Sequence, residues 1–194
     1  MHLKALIFLS VMLALTACGP DASPSSNDID TVAADSLAMG NAPEPDTLLP
    51  DTGADFVKAT AASDRFEIES SKLAATAAQS TAVKTFASQM IKSHKTSTTK
   101  LKTLVAGISP TLDMDDALNS EQQGLLAGLQ GKTGAEFDRA YAIAQVSAHG
   151  KTLEALTAYA AVGDNAILQQ HAKDLVPTVT AHLETAKELN KELK

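Results

Sequence analysis

The stretch VKTFASQMIKSH, Val83 to His94, decides the predicted fold because it carries a helical stripe with a histidine on it. Counting by threes and fours through and beyond it gives the series Val83, Ala87, Met90, His94, Ser97, Leu101, Leu104 and Ile108. Apolar and small residues at this spacing are typical of the buried face of a helix. The stretch therefore predicts a long helix whose buried face includes a histidine near its middle.

The same periodicity predicts four long helices after Thr52 and a short one between the second and the third. The expected N-terminal caps of three of them are Asp55, Ser80 and Asp164, and Pro177 is expected to kink the last helix. Each long helix has one apolar stripe that it cannot bury alone, so the sequence predicts an all-α four-helix bundle. The expected helix ranges are 55–78, 81–107, 120–130, 135–162 and 165–193.

The connections predict how the bundle is wound. The turns within the first and last pairs of long helices are tight, so each pair must be antiparallel. The middle connection, residues 108–133, has about 25 residues and can cross the length of the bundle. This is the ferritin-like arrangement, a four-helix bundle with a long crossover connection that carries the short helix. It is favoured over a simple up-down-up-down bundle.

The N-terminus predicts export. Residues 1–17 contain Lys4 and the apolar run 5–15, which is typical of a signal peptide and shorter than the roughly 20 residues that span a bilayer. Leu-Thr-Ala before Cys18 resembles the bacterial lipobox, in which the cysteine is lipidated, and no second cysteine exists to form a disulfide. We therefore expect a periplasmic protein held to the membrane by lipid on Cys18. Gly19, where an aspartate would indicate inner-membrane retention, favours the inner leaflet of the outer membrane over the inner membrane.

Composition divides the rest of the chain and excludes one class of partner. Residues 18–52 are rich in Pro, Ser, Asp and Ala, which predicts the lipidated cysteine followed by a disordered tether, and residues 53–194 form the predicted bundle domain. Without residues 1–17, the chain has 15 basic and 23 acidic residues, a net charge of −8, with 4% aromatics overall. Nucleic-acid binding calls for basic surfaces and stacking side chains, so we expect no nucleic-acid partner. Protein partners are left open.

Four polar residues fall near the middles of the four predicted long helices: Glu67, His94, His149 and His182. Helix midpoints share a level in an antiparallel bundle whichever way each helix points, so these four residues could form one layer. His171 lies eleven residues before His182, about 16 Å along the helix, and belongs to another layer.

Such a layer has a functional and a structural interpretation. Three imidazoles and one carboxylate suit zinc, iron, copper or manganese, and Gln145 and Tyr141, on the same helix face as His149, could support that histidine by hydrogen bonds. The layer could equally be a set of hydrogen-bonded polar groups that fixes helix register without metal, or the residues could be scattered on the rim of the bundle.

Signatures of a known reaction are missing from the sequence. Di-iron carboxylate bundles use Glu-x-x-His on two helices. The residues three positions before His94, His149 and His182 are Ile91, Val146 and Val179. There is no phosphate-binding loop or serine nucleophile elbow either, and Asp138 is expected only to complement a helix dipole. The sequence therefore favours a non-enzymatic protein and leaves an enzyme open.

Four stretches together resemble the DUF4142 family of exported bacterial proteins, which are often labelled outer-membrane proteins and have a ferritin-like fold. They are FEIESSKLA (66–74), VKTFASQMIKSH (83–94), FDRAY (137–141) and VPTVTAHLETA (176–186), and the resemblance covers about residues 55–189. The family pattern has matches at Glu67, His94, His149, Pro177 and His182 and none at His171. The resemblance implies fold, export and a shared polar site, but no reaction.

Two functions follow from the sequence. The first is a lipid-anchored periplasmic bundle that binds a transition metal at the Glu/His layer. The alternative is a non-enzymatic interaction module of the envelope or of stress responses, in which the polar layer is purely structural.

Overall fold

Four long helices and one short helix make up most of the part of the chain that the computed structural model describes, residues 49–108 and 110–194. No strand occurs among these residues, and each helix begins and ends within two residues of its predicted bounds. The prediction of an all-α bundle is therefore confirmed. The helices are α1 (Gly53–Ala77), α2 (Thr81–Ala106), α3 (Ser120–Leu129), α4 (Gly134–Val162) and α5 (Ala166–Glu192).

Residues 1–48 and Ser109 lie outside the described part of the chain. The predicted signal peptide, the lipid attachment at Cys18 and nearly all of the predicted tether are therefore outside it as well. The described residues all belong to the unit Asn41–Lys194, the second of two into which the chain divides.

Contacts at the two ends of the bundle establish its topology. The carboxylate of Asp138, near the start of α4, accepts hydrogen bonds from the backbone N–H groups of Gln79 and Ser80 at 3.1 and 2.8 Å. At the other end, Phe56 of α1 stacks on Tyr159 of α4 with ring centroids 4.2 Å apart. α4 therefore runs antiparallel to α1, and the crossover returns the chain to the end where α2 began. The winding is up-down-down-up, as the ferritin-like prediction requires.

The long helices pack as neighbouring pairs, and the crossover covers one of those pairs. α1 contacts α2 and α4, while α5 contacts α4 and α2. The short helix α3 packs on α1 and α4, where Glu121 pairs with Lys151 of α4. The face between α1 and α4 is thus covered, whereas no such element packs on the face between α2 and α5 in the described part of the chain.

Helix caps explain where the elements begin, and two of them differ from expectation. α1 is capped by Thr52, whose side chain accepts from the backbone N–H of Asp55, so Asp55 is a first-turn residue and not the cap. Ser80 caps α2 as expected. Asn165, and not Asp164, caps α5. The carboxylate of Asp164 instead accepts a hydrogen bond from the Tyr159 hydroxyl at 2.8 Å. α5 continues through Pro177 without ending.

The core consists of two apolar clusters with a polar layer between them. One cluster lies near the α1–α2 turn and includes Phe86, Met90, Phe137 and Tyr141. The other lies at the opposite end, around Phe56, Leu101, Tyr159 and Leu168. On each of the four long helices, a short stretch between these clusters carries buried or half-buried polar side chains.

Candidate metal centre

Three imidazoles meet in the polar layer. His94 comes from α2, His149 from α4 and His182 from α5, and one ring nitrogen of each lies within 4.8 Å of the other two. The ring centroids are 5.4 to 5.9 Å apart. His94 and His149 are buried, with 6% and 2% of their surface exposed, and His182 is half-buried. The hairpins α1–α2 and α4–α5 thus both contribute to one cluster of nitrogen atoms.

His94 is oriented by Asp64, a residue that the sequence reasoning missed. The Nδ1 atom of His94 lies 2.8 Å from Oδ1 of Asp64, whose Oδ2 accepts a hydrogen bond from the hydroxyl of Thr98 at 3.1 Å. Asp64 is itself buried. One signal was available: Asp64 lies three residues before Glu67, so both carboxylates lie on the same face of α1.

His149 is oriented from behind by two groups. Its Nδ1 atom lies 3.0 Å from the backbone carbonyl oxygen of Gln145, which can only accept, so Nδ1 carries the proton. Oε1 of Glu67 lies 3.6 Å from the same Nδ1 atom. Nε2 is therefore the nitrogen with a free lone pair. Glu67 contacts His149 on its outer side, and its role as a ligand stays a prediction.

Tyr141 and Gln145 connect α4 to α1 beside Glu67. The hydroxyl groups of Tyr141 and Ser71 are 2.8 Å apart, and the side-chain amide of Gln145 donates to Ser70 at 3.3 Å. Their side chains thus support the layer through α1, and Gln145 reaches His149 only through its backbone carbonyl group.

Burial and neighbouring charges give the members of the layer different proton affinities. Burial raises the pKa of Glu67 to about 7, although His94 works in the opposite direction. Burial and repulsion from His94 lower the pKa of His149 to about 3 and that of His182 to about 4. For His94, burial alone would lower the pKa, but the hydrogen bond to Asp64 and the charges of Glu67 and Asp64 raise it. Near neutral pH, His149 and His182 are therefore neutral imidazoles.

The nitrogen atoms that remain lack hydrogen-bond partners. Nε2 of His94, Nε2 of His149 and Nδ1 of His182 are buried, and none of them has a partner among the described residues. A buried polar atom without a partner destabilises a fold by about 1–3 kcal/mol. A metal ion bound by all three nitrogens would remove that deficit. The donor set therefore fits a metal.

His171 lies apart from this cluster, in the apolar end around Phe56, to which its ring is perpendicular at 6.5 Å. Both of its ring nitrogens are also buried without a partner in the described part of the chain. It contributes to the core and not to the group of three histidines.

The fold and the layer together define a class, the ferritin-like helical bundles with polar residues buried at mid-height. The chain belongs to the family described as a domain of unknown function, DUF4142, whose sequence profile matches residues 38–189. This confirms the resemblance inferred from the sequence. A comparison with curated proteins found no match.

A solved structure supports the same fold. The chain is similar to "CopM in the Cu(II)-bound form", with a TM-score of 0.62 and 13% sequence identity, over 74% of this chain and 98% of that one. At this sequence identity, the similarity shows that the two proteins share a helical-bundle fold, and it carries no conclusion about the site.

Proposed function

We propose that the bundle binds one transition-metal ion through His94, His149 and His182. Two observations support this most strongly: one ring nitrogen of each histidine lies within 4.8 Å of the other two, and each ring has a buried nitrogen without a partner among the described residues. A tetrahedral metal with bonds of about 2.1 Å holds its ligands about 3.4 Å apart, so each nitrogen needs to move inward by at most about 0.8 Å. Small rotations of the side chains supply such a movement.

Two carboxylates supply the charge that a buried divalent cation requires. The three imidazoles are neutral when they bind a metal, and an uncompensated charge inside a protein is strongly unfavourable. Asp64 lies behind His94 and Glu67 behind His149, both buried and both in contact with the outer nitrogen of their histidine. Carboxylate–histidine pairs of this kind orient the ring and increase the basicity of the metal-binding nitrogen. Together they balance a charge of +2.

The donor set favours copper among the four metals considered. Nitrogen sites generally bind Cu(II) more tightly than Zn(II), Fe(II) or Mn(II). Copper is also the ion bound in the helical bundle to which this chain is similar. We propose Cu(II) as the ion bound most tightly in solution, with zinc, iron and manganese following.

The test measures metal uptake directly. The full chain carrying Cys18→Ser is purified without affinity metal, treated with a chelator and titrated with Cu(II) and Zn(II) by calorimetry. One equivalent should bind, and His94→Ala and His149→Ala should each lower the affinity at least 100-fold. His171→Ala is the matched control, because that buried histidine lies outside the centre. Less than about a tenth of an equivalent for every metal would disprove the proposal.

The alternative, a structural polar layer in an envelope or stress-related interaction module, has its own support. The Asp64–His94 and Ser71–Tyr141 hydrogen bonds connect neighbouring helices and need no metal. If no metal binds and His94→Ala destabilises the fold, this alternative is the better account. The unpartnered nitrogens favour the metal, since a layer built only for hydrogen bonding would satisfy them.

We also propose that the protein is a lipoprotein on the periplasmic side of the outer membrane. The support is the sequence pattern that ends at Cys18. None of the helices in the described part of the chain is both long and apolar enough to span a bilayer. Metabolic labelling with a radioactive fatty acid should mark the parent protein but not Cys18→Ser. Membrane fractionation should then find the label in the outer membrane.

A further inference from the structure

A cavity of about 390 Å³ reaches the histidine layer between α2 and α5. His94 and His182 both line it, and so does Asp64. Its outer residues, Gln89, Lys92 and Thr96, are exposed, so the cavity is open to solvent. The layer can therefore be reached by small molecules from this side.

His149 is buried on the inner side of the layer. It does not line the cavity, and the ring of Phe86, in the apolar cluster near the α1–α2 turn, lies 6.3 Å from its ring. A small molecule in this cavity therefore reaches the layer at His94 and His182. Three protein nitrogens leave at least one coordination position of the metal without a protein ligand, as in metal sites that bind a further molecule.

The walls of the cavity combine hydroxyl groups with the apolar side chains of Leu156, Leu175 and Val179. Besides Thr96 at the mouth, six short side chains carry hydroxyl groups and leave space that larger residues would fill. They are Thr60, Ser63, Ser93, Ser97, Thr152 and Thr178, of which Ser63 and Thr152 hydrogen-bond each other at 3.0 Å. The volume is at the low end of that of small-molecule sites, about 300–1,000 Å³. The cavity therefore suits a small polar molecule and not a peptide segment.

The charges around the cavity determine whether the bound molecule is positively or negatively charged. Asp64 and Glu67 together neutralise a divalent metal, so the centre itself is close to neutral when it is loaded. Lys92 is the only lysine or arginine among the lining residues, and it is exposed at the mouth. One further negative charge balances Lys92.

We propose that the cavity is a binding site for a small monovalent anion of the carboxylate type, which coordinates the metal at its remaining position. The hydroxyl groups of the wall donate hydrogen bonds to the anion, and Lys92 attracts it to the mouth. The inference rests on the proposed metal site, because the anion needs the ion as its main partner.

The experiment uses the full chain with Cys18→Ser, loaded with Cu(II), and azide as the probe anion. Azide should produce a saturable charge-transfer absorption band. Acetate should displace azide, whereas acetamide, which has nearly the same shape and no charge, should not. Ser97→Phe, which fills the cavity, should weaken azide binding at least tenfold and leave the copper content unchanged. Thr99→Phe is the matched control, because Thr99 is exposed two residues further along α2 and does not line the cavity.

The outcomes separate this inference from the proposed function. No copper uptake overturns both. Full copper uptake with no azide band, or with equal azide affinity in the parent and Ser97→Phe, overturns only the anion site. If circular dichroism shows that Ser97→Phe does not fold, Thr178→Phe decides in its place. Displacement of azide by acetamide as effectively as by acetate contradicts the charge selection.

Discussion

The histidines of the centre depend on two carboxylates of α1 that do not join the cluster themselves. Asp64 binds the outer nitrogen of His94 at 2.8 Å, and Glu67 lies 3.6 Å from the outer nitrogen of His149. The hydroxyl of Thr98 donates a hydrogen bond to Asp64, and the backbone carbonyl group of Gln145 accepts one from His149. The orientation of the His94 and His149 rings therefore depends on α1.

Replacing Asp64 by asparagine tests this dependence. Asp64→Asn keeps the size of the side chain but removes the charge and weakens the acceptor for Nδ1 of His94. Loss of such a supporting group typically weakens metal binding about 10–100-fold. Titration of the chelator-treated protein with Cu(II) should show this decrease, while far-UV circular dichroism stays unchanged. Glu69→Gln, on the outer face of the same helix, should bind Cu(II) as the parent does.

His171 gives a pH dependence that is separate from the centre. Burial lowers its pKa, repulsion from Lys100 adds to this, and attraction from Asp174 and Asp64 opposes it. A pKa that is lower in the folded state than its ordinary 6.5 contributes stability that is complete above pH 6.5 and is lost as the pH falls through the folded value. Without metal, the urea midpoint should decrease from pH 7 to pH 5, and the decrease should be smaller in His171→Leu. Equal decreases in both proteins would contradict this account.

The sequence revealed the histidines more readily than their support, for a physical reason. Each histidine lies on the stripe of its own helix, so counting with a period of 3.6 residues finds its level without knowledge of any partner. The burial of Asp64 depends on His94 of another helix, and the cap at Asn165 depends on Tyr159 engaging Asp164. The periodicity of a single helix cannot reveal either of these contacts.

At the level of elements, the bundle consists of two hairpins, α1–α2 and α4–α5, and Asp138 joins them at one end. Its carboxylate accepts from two backbone N–H groups in the α1–α2 turn, although it belongs to α4. The sequence predicted only a dipole role within its own helix, because the partner turn lies almost sixty residues earlier in the chain. Ser80 then caps α2 from the same turn.

Removing the Asp138 carboxylate should separate the hairpins at this end. Asp138→Ala leaves two partly buried N–H groups without an acceptor, which should lower the free energy of unfolding by about 2–4 kcal/mol. Asp138→Asn retains one acceptor oxygen and should lose about half as much. Urea unfolding monitored by circular dichroism measures both. Asp113→Ala, an exposed aspartate of the crossover, should change stability by no more than about 0.5 kcal/mol.

Across the whole molecule, the lengths of the connections determine the winding of the bundle. They do not determine which pair of helices has a cavity between them. The crossover of residues 107–133 and its helix α3 cover α1 and α4, and this leaves the α2–α5 side with a cavity where the two hairpins meet. Sequence periodicity specifies which residues point inward and says nothing about which pair of helices stays apart. The three clustered histidines lie across that gap, on α2 in one hairpin and on α4 and α5 in the other.

A bound metal should therefore stabilise the bundle as a cross-link between hairpins. A ligand that binds only the folded state at 100 times its dissociation constant adds about 2.7 kcal/mol to the free energy of unfolding. For a domain of this size, that raises the melting temperature by on the order of 10 °C. Differential scanning calorimetry of the parent with and without Cu(II) should show the increase. His182→Ala, which removes the ligand from α5, should melt at nearly the same temperature in both conditions. An equal increase in His182→Ala would mean that copper stabilises the protein at some other place, and the link between the two hairpins would have to be abandoned.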